Sequence, residues 1–372
     1  MTSRSIEDFV VPWVRESAPY SDKHMDFAWD HPDVTRMMSN ENPLPPPESV
    51  VEAVMEAVRL GNLYPGSGED LRRKLAAPVG LGPDNVALGN GSTDVINFIV
   101  HALVAPGEEV VIPVPTFAMY ETRTKIHGGK PVLVPIHDDF YWDVDGMLKA
   151  INARTKLVFV CTPNNPTGNQ IKEEDIRRIL KAGVPTVIDE AYYELEEEPR
   201  SLAFLLKEFP NAIVNRTMSK AFGLAGLRVG YCFADERLIS YFNRTRFPWN
   251  VSLLALAGAL AAVDDKADQR HKYENNREGR VYLQEAIDEI PGLRSYPSDG
   301  NFVLFDASVV GKDSNEMRDD LIARGVFIRP MSPHHMKPGF LRVTIGTPGQ
   351  NERFIEILRA YVAEQTSAVS AH

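Results

Sequence analysis

From about residue 48 onward, segments with helical apolar spacing alternate with short β-branched runs, the mark of βαβ units around a mainly parallel sheet. Ser49 to Leu60 gathers Val50, Val51, Val54, Val58 and Leu60 toward one stripe, and Glu69 to Val79 opens with acids and carries Leu71, Leu75 and Val79. The strands expected are Val86 to Leu88, Glu109 to Val114, Pro131 to Ile136, Lys156 to Cys161, Pro185 to Ile188, Ala212 to Val214 and Leu227 to Phe233. Most are apolar on both faces, which suits strands covered by helices on each side. The expected fold is α/β, with a mainly parallel seven-stranded sheet flanked by helices.

Near residue 250 the pattern changes. Ser252 to Val263 and Lys266 to Ile290 read as two long helices, the second highly charged. Then come a strand (Asn301 to Phe305), a helix (Asn315 to Arg324), two strands (Val326 to Arg329, Phe340 to Ile345) and a helix (Asn351 to Val362), a smaller α+β domain. The divisions expected are an arm over residues 1–45 that lies on other surfaces, a large domain over 46–260 and a small C-terminal domain over 261–372.

Composition narrows the function classes. The 372 residues are 44% hydrophobic and 24% charged, so a sizeable core is available and disorder is excluded. A formal net charge of −11 argues against nucleic acid as a partner. Cys161 and Cys232 each sit in an apolar run and read as buried free thiols rather than a disulfide. The start, MTSRSIEDFVVPW, lacks a basic-then-apolar signal, and no window nears 18 unbroken apolar residues. A cytoplasmic protein with no membrane partner is expected.

Four segments could carry chemistry. Gly89-Asn90-Gly91-Ser92-Thr93-Asp94 joins a strand to a helix. It is either a turn capped by Ser92 or Thr93, or a cradle whose N–H groups face an anion. Thr162 to Gly168 (TPNNPTG) follows a buried strand at its carboxyl end, where open α/β sheets place ligands. Asp189 ends the next apolar run, with Tyr192 three residues on. Lys220 lies after strand Ala212 to Val214 among small and apolar residues, where burial would favour a neutral, nucleophilic amine. A lysine, an acid and an anion cradle are together what pyridoxal 5'-phosphate chemistry requires.

The order NPTG, DEAY, SKAFGLAGLR resembles the class I/II aminotransferases of the fold-type I pyridoxal-phosphate enzymes. Asp189 lies 24 residues after Asn165, Lys220 a further 31 and Arg228 a further eight. The histidinol-phosphate aminotransferase branch is the closer resemblance, on Ser39-Asn40-Glu41-Asn42-Pro43, Tyr64-Pro65, Pro115 to Tyr120 (PTFAMY), Arg329-Pro330-Met331 and Leu341 to Gly346 (LRVTIG). It covers about residues 19 to 360, with two departures: Phe117 stands where that branch usually has a ring-stacking Tyr, and Ser92-Thr93-Asp94 where Ser-Asp-Glu is common.

The resemblance implies that Lys220 forms the Schiff base and moves the proton, and that Asp189 pairs with the pyridine nitrogen. Asn165 and Tyr192 would hold the ring's phenolic oxygen, Phe117 would stack on the ring, and Gly91, Ser92, Thr93, Thr217, Ser219 and Arg228 would bind the phosphate. Arg342, Arg329 and Asn40 would face the substrate, while Tyr20 and Tyr64 would reach across a homodimer with composite sites. The substrates implied are a small-molecule amino donor, L-histidinol phosphate, and a 2-oxo acid, 2-oxoglutarate. An aromatic or other amino-acid aminotransferase, and a threonine-phosphate-type decarboxylase, remain alternatives on the same scaffold. A transcription regulator with a borrowed aminotransferase domain would need an appended basic helical domain, for which the residues before Gly89 leave no room. On an extended strand the adjacent His334 and His335 would point opposite ways, so no metal site is expected.

Overall fold

The computed structural model describes residues 5–19, 21–196 and 199–369. All seven expected strands form, within a few residues of their expected ends. They are β1 (Val86–Asn90), β2 (Glu109–Val114), β3 (Lys130–Pro135), β4 (Thr155–Cys161), β5 (Thr186–Asp189), β6 (Ala212–Thr217) and β7 (Val229–Ala234). They make one sheet in the order β1-β7-β6-β5-β4-β2-β3. Only β7 runs antiparallel, against both its neighbours. Its beginning therefore lies at the same edge as the carboxyl ends of the other six.

Alternate residues of each strand enter different cores. Val158, Val160, Ile188 and Val214 pack on one face, and Leu157, Phe159, Val187 and Ile213 on the other. Helix α1 (Glu48–Val58) and helix α3 (Leu253–Asp264) cover the first face, and α2 (Ser92–Leu103) covers the second through Val95, Ile96, Phe98 and Ile99. Each fully buried Val, Ile or Phe contributes roughly 1.5–3 kcal/mol, so double coverage rather than hydrogen bonding sets the position of the strand ends.

A second, antiparallel sheet has the order β10-β11-β9-β8, with β8 Arg294–Ser295, β9 Phe302–Asp306, β10 Arg329–Pro330 and β11 Phe340–Thr344. Its core includes Val303, Phe305, Leu341, Val343 and Phe354. The 23-residue helix α4 (Lys266–Asp288) spans the two halves, and α5 (Ser314–Ile322) and α6 (Pro348–Val369) complete the smaller one. The single strand expected over Val326 to Arg329 is in fact two. Val326–Phe327 pairs in parallel with Thr35–Arg36, whereas Arg329–Pro330 pairs with β11. Pro330 has no N–H to donate, so β10 stops at the sheet's edge. Met37 and Met38, just past Thr35–Arg36, are buried. Among the described residues no helix is long and apolar enough to cross a membrane.

Candidate active site

The carboxyl ends of β1, β4, β5 and β6 and the beginning of β7 meet at one edge of the large sheet. Register brings Cys161 beside Asp189, Asp189 beside Asn215, and Thr217 beside Gly230. Asp189 is buried, and three neutral donors hold it: the Tyr120 hydroxyl at 2.7 Å and Asn215 Nδ2 at 2.9 Å reach Oδ2, and the Ala191 N–H at 3.1 Å reaches Oδ1. Burial pushes its pKa up to about 6, against these hydrogen bonds.

Lys220 sits on the turn after β6. Its Nζ donates to the carbonyls of Ser39 at 3.1 Å and Asn40 at 2.9 Å, and it lies 6.0 Å from the Tyr192 ring centroid. Burial, then the charge of Arg342 and more weakly Arg228, bring its ammonium down to about 8, while Glu41 works the other way. Asn40 adopts a left-handed φ of 53° and is buried. Its Nδ2 donates to the Tyr192 hydroxyl at 3.0 Å, and its N–H to Thr344 Oγ1 at 2.9 Å. The residue thus ties the lysine, the tyrosine and β11 together.

The loop from β1 to α2 packs against β7 without side chains between them. A Cβ on Gly230 would overlap the backbone of Gly91 and Ser92, and one on Gly91 would overlap the Arg228 guanidinium. Gly91 caps α2 with no side-chain hydrogen bond, so the capping by Ser92 or Thr93 left open by the sequence does not occur. The first N–H groups of the helix, those of Ser92 and Thr93, have no partner within the helix. Arg228, with φ of 58°, donates from Nη1 to the Ala225 carbonyl at 3.1 Å and to Ser219 Oγ at 3.4 Å. Thr217 Oγ1 bonds within the turn, accepting from the Ser219 N–H at 3.1 Å and donating to the Val229 carbonyl at 3.4 Å. Phe117, half-buried, meets the Tyr120 ring edge-on at 5.6 Å.

On the smaller sheet Arg329 and Arg342 are directly opposite each other. Arg342 is only 7% exposed. Its Nη2 donates to the Met38 carbonyl at 3.0 Å, its Nη1 donates to Asn165 Oδ1, and its guanidinium lies 5.3 Å from the Phe302 ring centroid. The alternation expected for this strand holds, but both faces are buried: Leu341 and Val343 enter the small core, while Arg342 meets Asn165 of the large half and Met38, and Thr344 meets Asn40. Asn165 therefore contacts the arginine from the large half.

His334 and His335 lie at the end of a 3₁₀ turn (Ser332–His334), not on a strand. His335 reaches Glu121 at 3.2 Å. Burial and the charges of Arg329 and Arg342 bring His334 down to about 4. Tyr64 is not brought to the cleft; it is 79% exposed and stacks on Trp249 at 4.5 Å. Tyr20 lies outside the described residues.

Residues 32–358 match the family described as aminotransferase class I and II. The chain belongs to that family. The aminotransferase is 38% identical to the histidinol-phosphate aminotransferase of Akkermansia muciniphila over 95% of its own length and 99% of that relative's. It is 40% identical to that of Moorella thermoacetica over 89% and 86% of the two chains. The crystal structure of the Sinorhizobium meliloti histidinol-phosphate aminotransferase in complex with pyridoxal-5'-phosphate superposes with a TM-score of 0.85, at 26% identity and covering 98% of this chain and 99% of that one. The aminotransferase is accordingly a pyridoxal-phosphate-dependent enzyme of fold type I.

Three contributors escaped the sequence reading. Tyr120 lies three residues after Phe117, a spacing that shares a helical face. Asn215 was signalled by an amide inside an apolar strand. Lys272 of α4 is fully buried, donating to the Phe222 carbonyl at 3.0 Å and pairing with Asp268 at 2.7 Å, and so holds the turn that bears Lys220.

Proposed function

We propose that the aminotransferase moves the amino group of L-histidinol phosphate to 2-oxoglutarate, with pyridoxal phosphate bound through Lys220. The cofactor's demands fit the residues present. Asp189 is a buried carboxylate with no ion-pair partner among the described residues, which suits a cationic ring nitrogen. The side-chain-free contact of Gly91 and Gly230 beside Arg228 suits a phosphate lying against backbone N–H groups. When bound, the cofactor supplies an electron sink for the substrate's bond-breaking electrons.

The protein's own groups do the rest. Lys220, whose ammonium is brought down to about 8, would hold the cofactor and, as a neutral amine, would move the proton at the amine-bearing carbon. Asp189 would keep the ring nitrogen protonated. Asn165 and Tyr192 would hold the ring's phenolic oxygen, and Phe117 would stack on the ring. Gly91, Ser92, Thr93, Thr217, Ser219 and Arg228 secure the phosphate.

The observation that carries the substrate is the Arg329–Arg342 pair. Two arginines directly opposite each other on neighbouring strands can reach one anion from two sides. A phosphate, with nearly two charges and three acceptor oxygens, satisfies two guanidinium groups, whereas a carboxylate needs one. Curated relatives named as histidinol-phosphate aminotransferases support the same reading. Initial rates with 2-oxoglutarate and a panel of histidinol phosphate, aromatic amino acids, aspartate and threonine phosphate test it. Histidinol phosphate should give the highest kcat/KM, and a preference for a plain amino acid would overturn the assignment.

The enzyme works as a cytoplasmic homodimer in which Tyr64, and with it Tyr20, completes the partner's site. Exposed Met55, Leu63, Tyr64, Phe247 and Trp249 supply apolar surface for such an interface. Mixed dimers of Tyr64→Ala and Lys220→Ala chains collect both defects in one site and leave the other intact. Activity above that of either parent is expected. Its absence, with mixed dimers shown to form, would place the tyrosine's role within its own chain.

A further inference from the structure

Asp189 is held unevenly. Both side-chain donors, Tyr120 and Asn215, converge on Oδ2, and Oδ1 receives only the Ala191 N–H. Asn215 is bound to this orientation, because only its NH₂ can donate to a carboxylate, and its own Oδ1 is buried with no hydrogen-bond partner. The phenol of Tyr120 is fixed more firmly still. The residue is 0% exposed, its ring stacks on Phe159 at 4.4 Å with 10° between the planes, and Phe117 closes one edge. Little side-chain freedom remains to be lost when the hydroxyl donates.

Resting on the cofactor assignment above, we propose that Tyr120 is a positioning residue for Asp189: its immobilised phenol, donating to Oδ2, keeps the buried carboxylate ionised and ready to pair with the cofactor's ring nitrogen. Among the described residues, the groups facing Asp189 from each packed element are Tyr120 from the helix after β2, Cys161 from β4, Glu190, the Ala191 N–H and Tyr192 from its own segment, and Asn215 from β6. Of these, only Tyr120, Asn215 and the Ala191 N–H favour the ionised form. Glu190 opposes it, although its own charge is taken up by Arg216 at 2.8 Å. The Cys161 thiol is pushed up by burial and stays neutral, donating to the Pro163 carbonyl at 3.3 Å. Burial and the Asp189 charge also hold Tyr120 well above its ordinary value, so the phenol remains a donor across the working pH range. The stack places it where desolvation would otherwise neutralise the acid.

The test is the dissociation constant of pyridoxal phosphate from pH 5 to pH 9 for wild type and Tyr120→Phe, which keeps the ring stack and removes only the hydroxyl. A hydrogen bond to a charged group of roughly 1.5–3 kcal/mol corresponds to about one to two pKa units. The acid limb of the affinity profile should therefore move up by that amount. Tyr120→Phe would bind about ten- to a hundredfold more weakly near pH 5 and nearly as tightly as wild type at pH 9. A merely structural role would weaken binding by one factor at every pH, and that result overturns the proposal. Asn215→Leu, which removes the other donor to Oδ2, must shift the limb in the same direction and carries the test if Tyr120→Phe does not fold. A wild type that binds no pyridoxal phosphate overturns the cofactor role and this inference together; binding with an unmoved limb overturns the inference alone.

Discussion

The two sheets hold their charges in opposite ways. At the edge of the large sheet, Asp189 is buried and Lys220 half-buried, neither with an ion-pair partner among the described residues, and each is pushed toward its neutral form, the acid up to about 6 and the lysine down to about 8. On the small sheet, Arg329 and Arg342 face each other as like charges that stay charged at any working pH. The first sets a lone acid and a lone base among neutral hydrogen-bonding groups; the second gathers two positive charges where an anion can meet both. Cofactor and substrate are thus prepared for by different physics. One half carries a desolvation cost, and the other concentrates positive charge.

The largest break in this comparison is at Lys220. Lys220→Ala removes the group that moves the proton, so kcat should fall by about a thousandfold or more, while the phosphate cradle and Asp189 still bind pyridoxal phosphate. Single-turnover kinetics beside a cofactor titration check both halves of that statement, and retention of wild-type turnover would sink the assignment. Next comes Arg329→Ala. It deprives a phosphate of its second guanidinium, so kcat/KM on histidinol phosphate should drop about ten- to a hundredfold, or roughly 1.5–3 kcal/mol. The loss on an aromatic amino acid should be smaller, because Arg342 alone can hold a carboxylate. Equal losses on the two substrates would mean that the small sheet is not built for a phosphate.

Legibility differed between the halves for the same reason. Asp189, Lys220 and Arg228 stand at strand ends in a fixed order, and strands buried on both faces announce themselves as apolar runs. The small sheet is made of short strands, and Val326 to Arg329 could not be divided from sequence because Thr35–Arg36, which pairs with its first half, lies far away in the chain. Tyr120's role is not legible locally, because its partner Asp189 is 69 positions on. Lys272 was lost in a charged helix, although the buried positions 272, 276, 279 and 283 repeat at alternating steps of four and three. That spacing marks an inward stripe, and a lysine on it is a staple rather than a solvated charge.

The smallest effect tests the claim that the large sheet stores its cost as desolvation. The folded-state pKa of Asp189 is raised from 3.8 to about 6, so the folded protein binds more protons than the unfolded chain between those values. The acid's contribution to stability is full below pH 3.8 and is lost as pH rises through about 6, leaving the ionised carboxylate as a cost above that point. Asp189→Asn removes the charge at nearly constant volume. Without cofactor, the variant should match wild type near pH 3.8 and become more stable by about 2–3 kcal/mol above pH 6, the shift converted at 1.36 kcal/mol per unit. Denaturant midpoints at pH 4 and pH 8 measure this. With pyridoxal phosphate bound the order should reverse, because a cationic ring nitrogen turns the buried charge into one side of a pair that the amide cannot make. A gain in the variant that survives cofactor loading would show that Asp189 does not meet the ring.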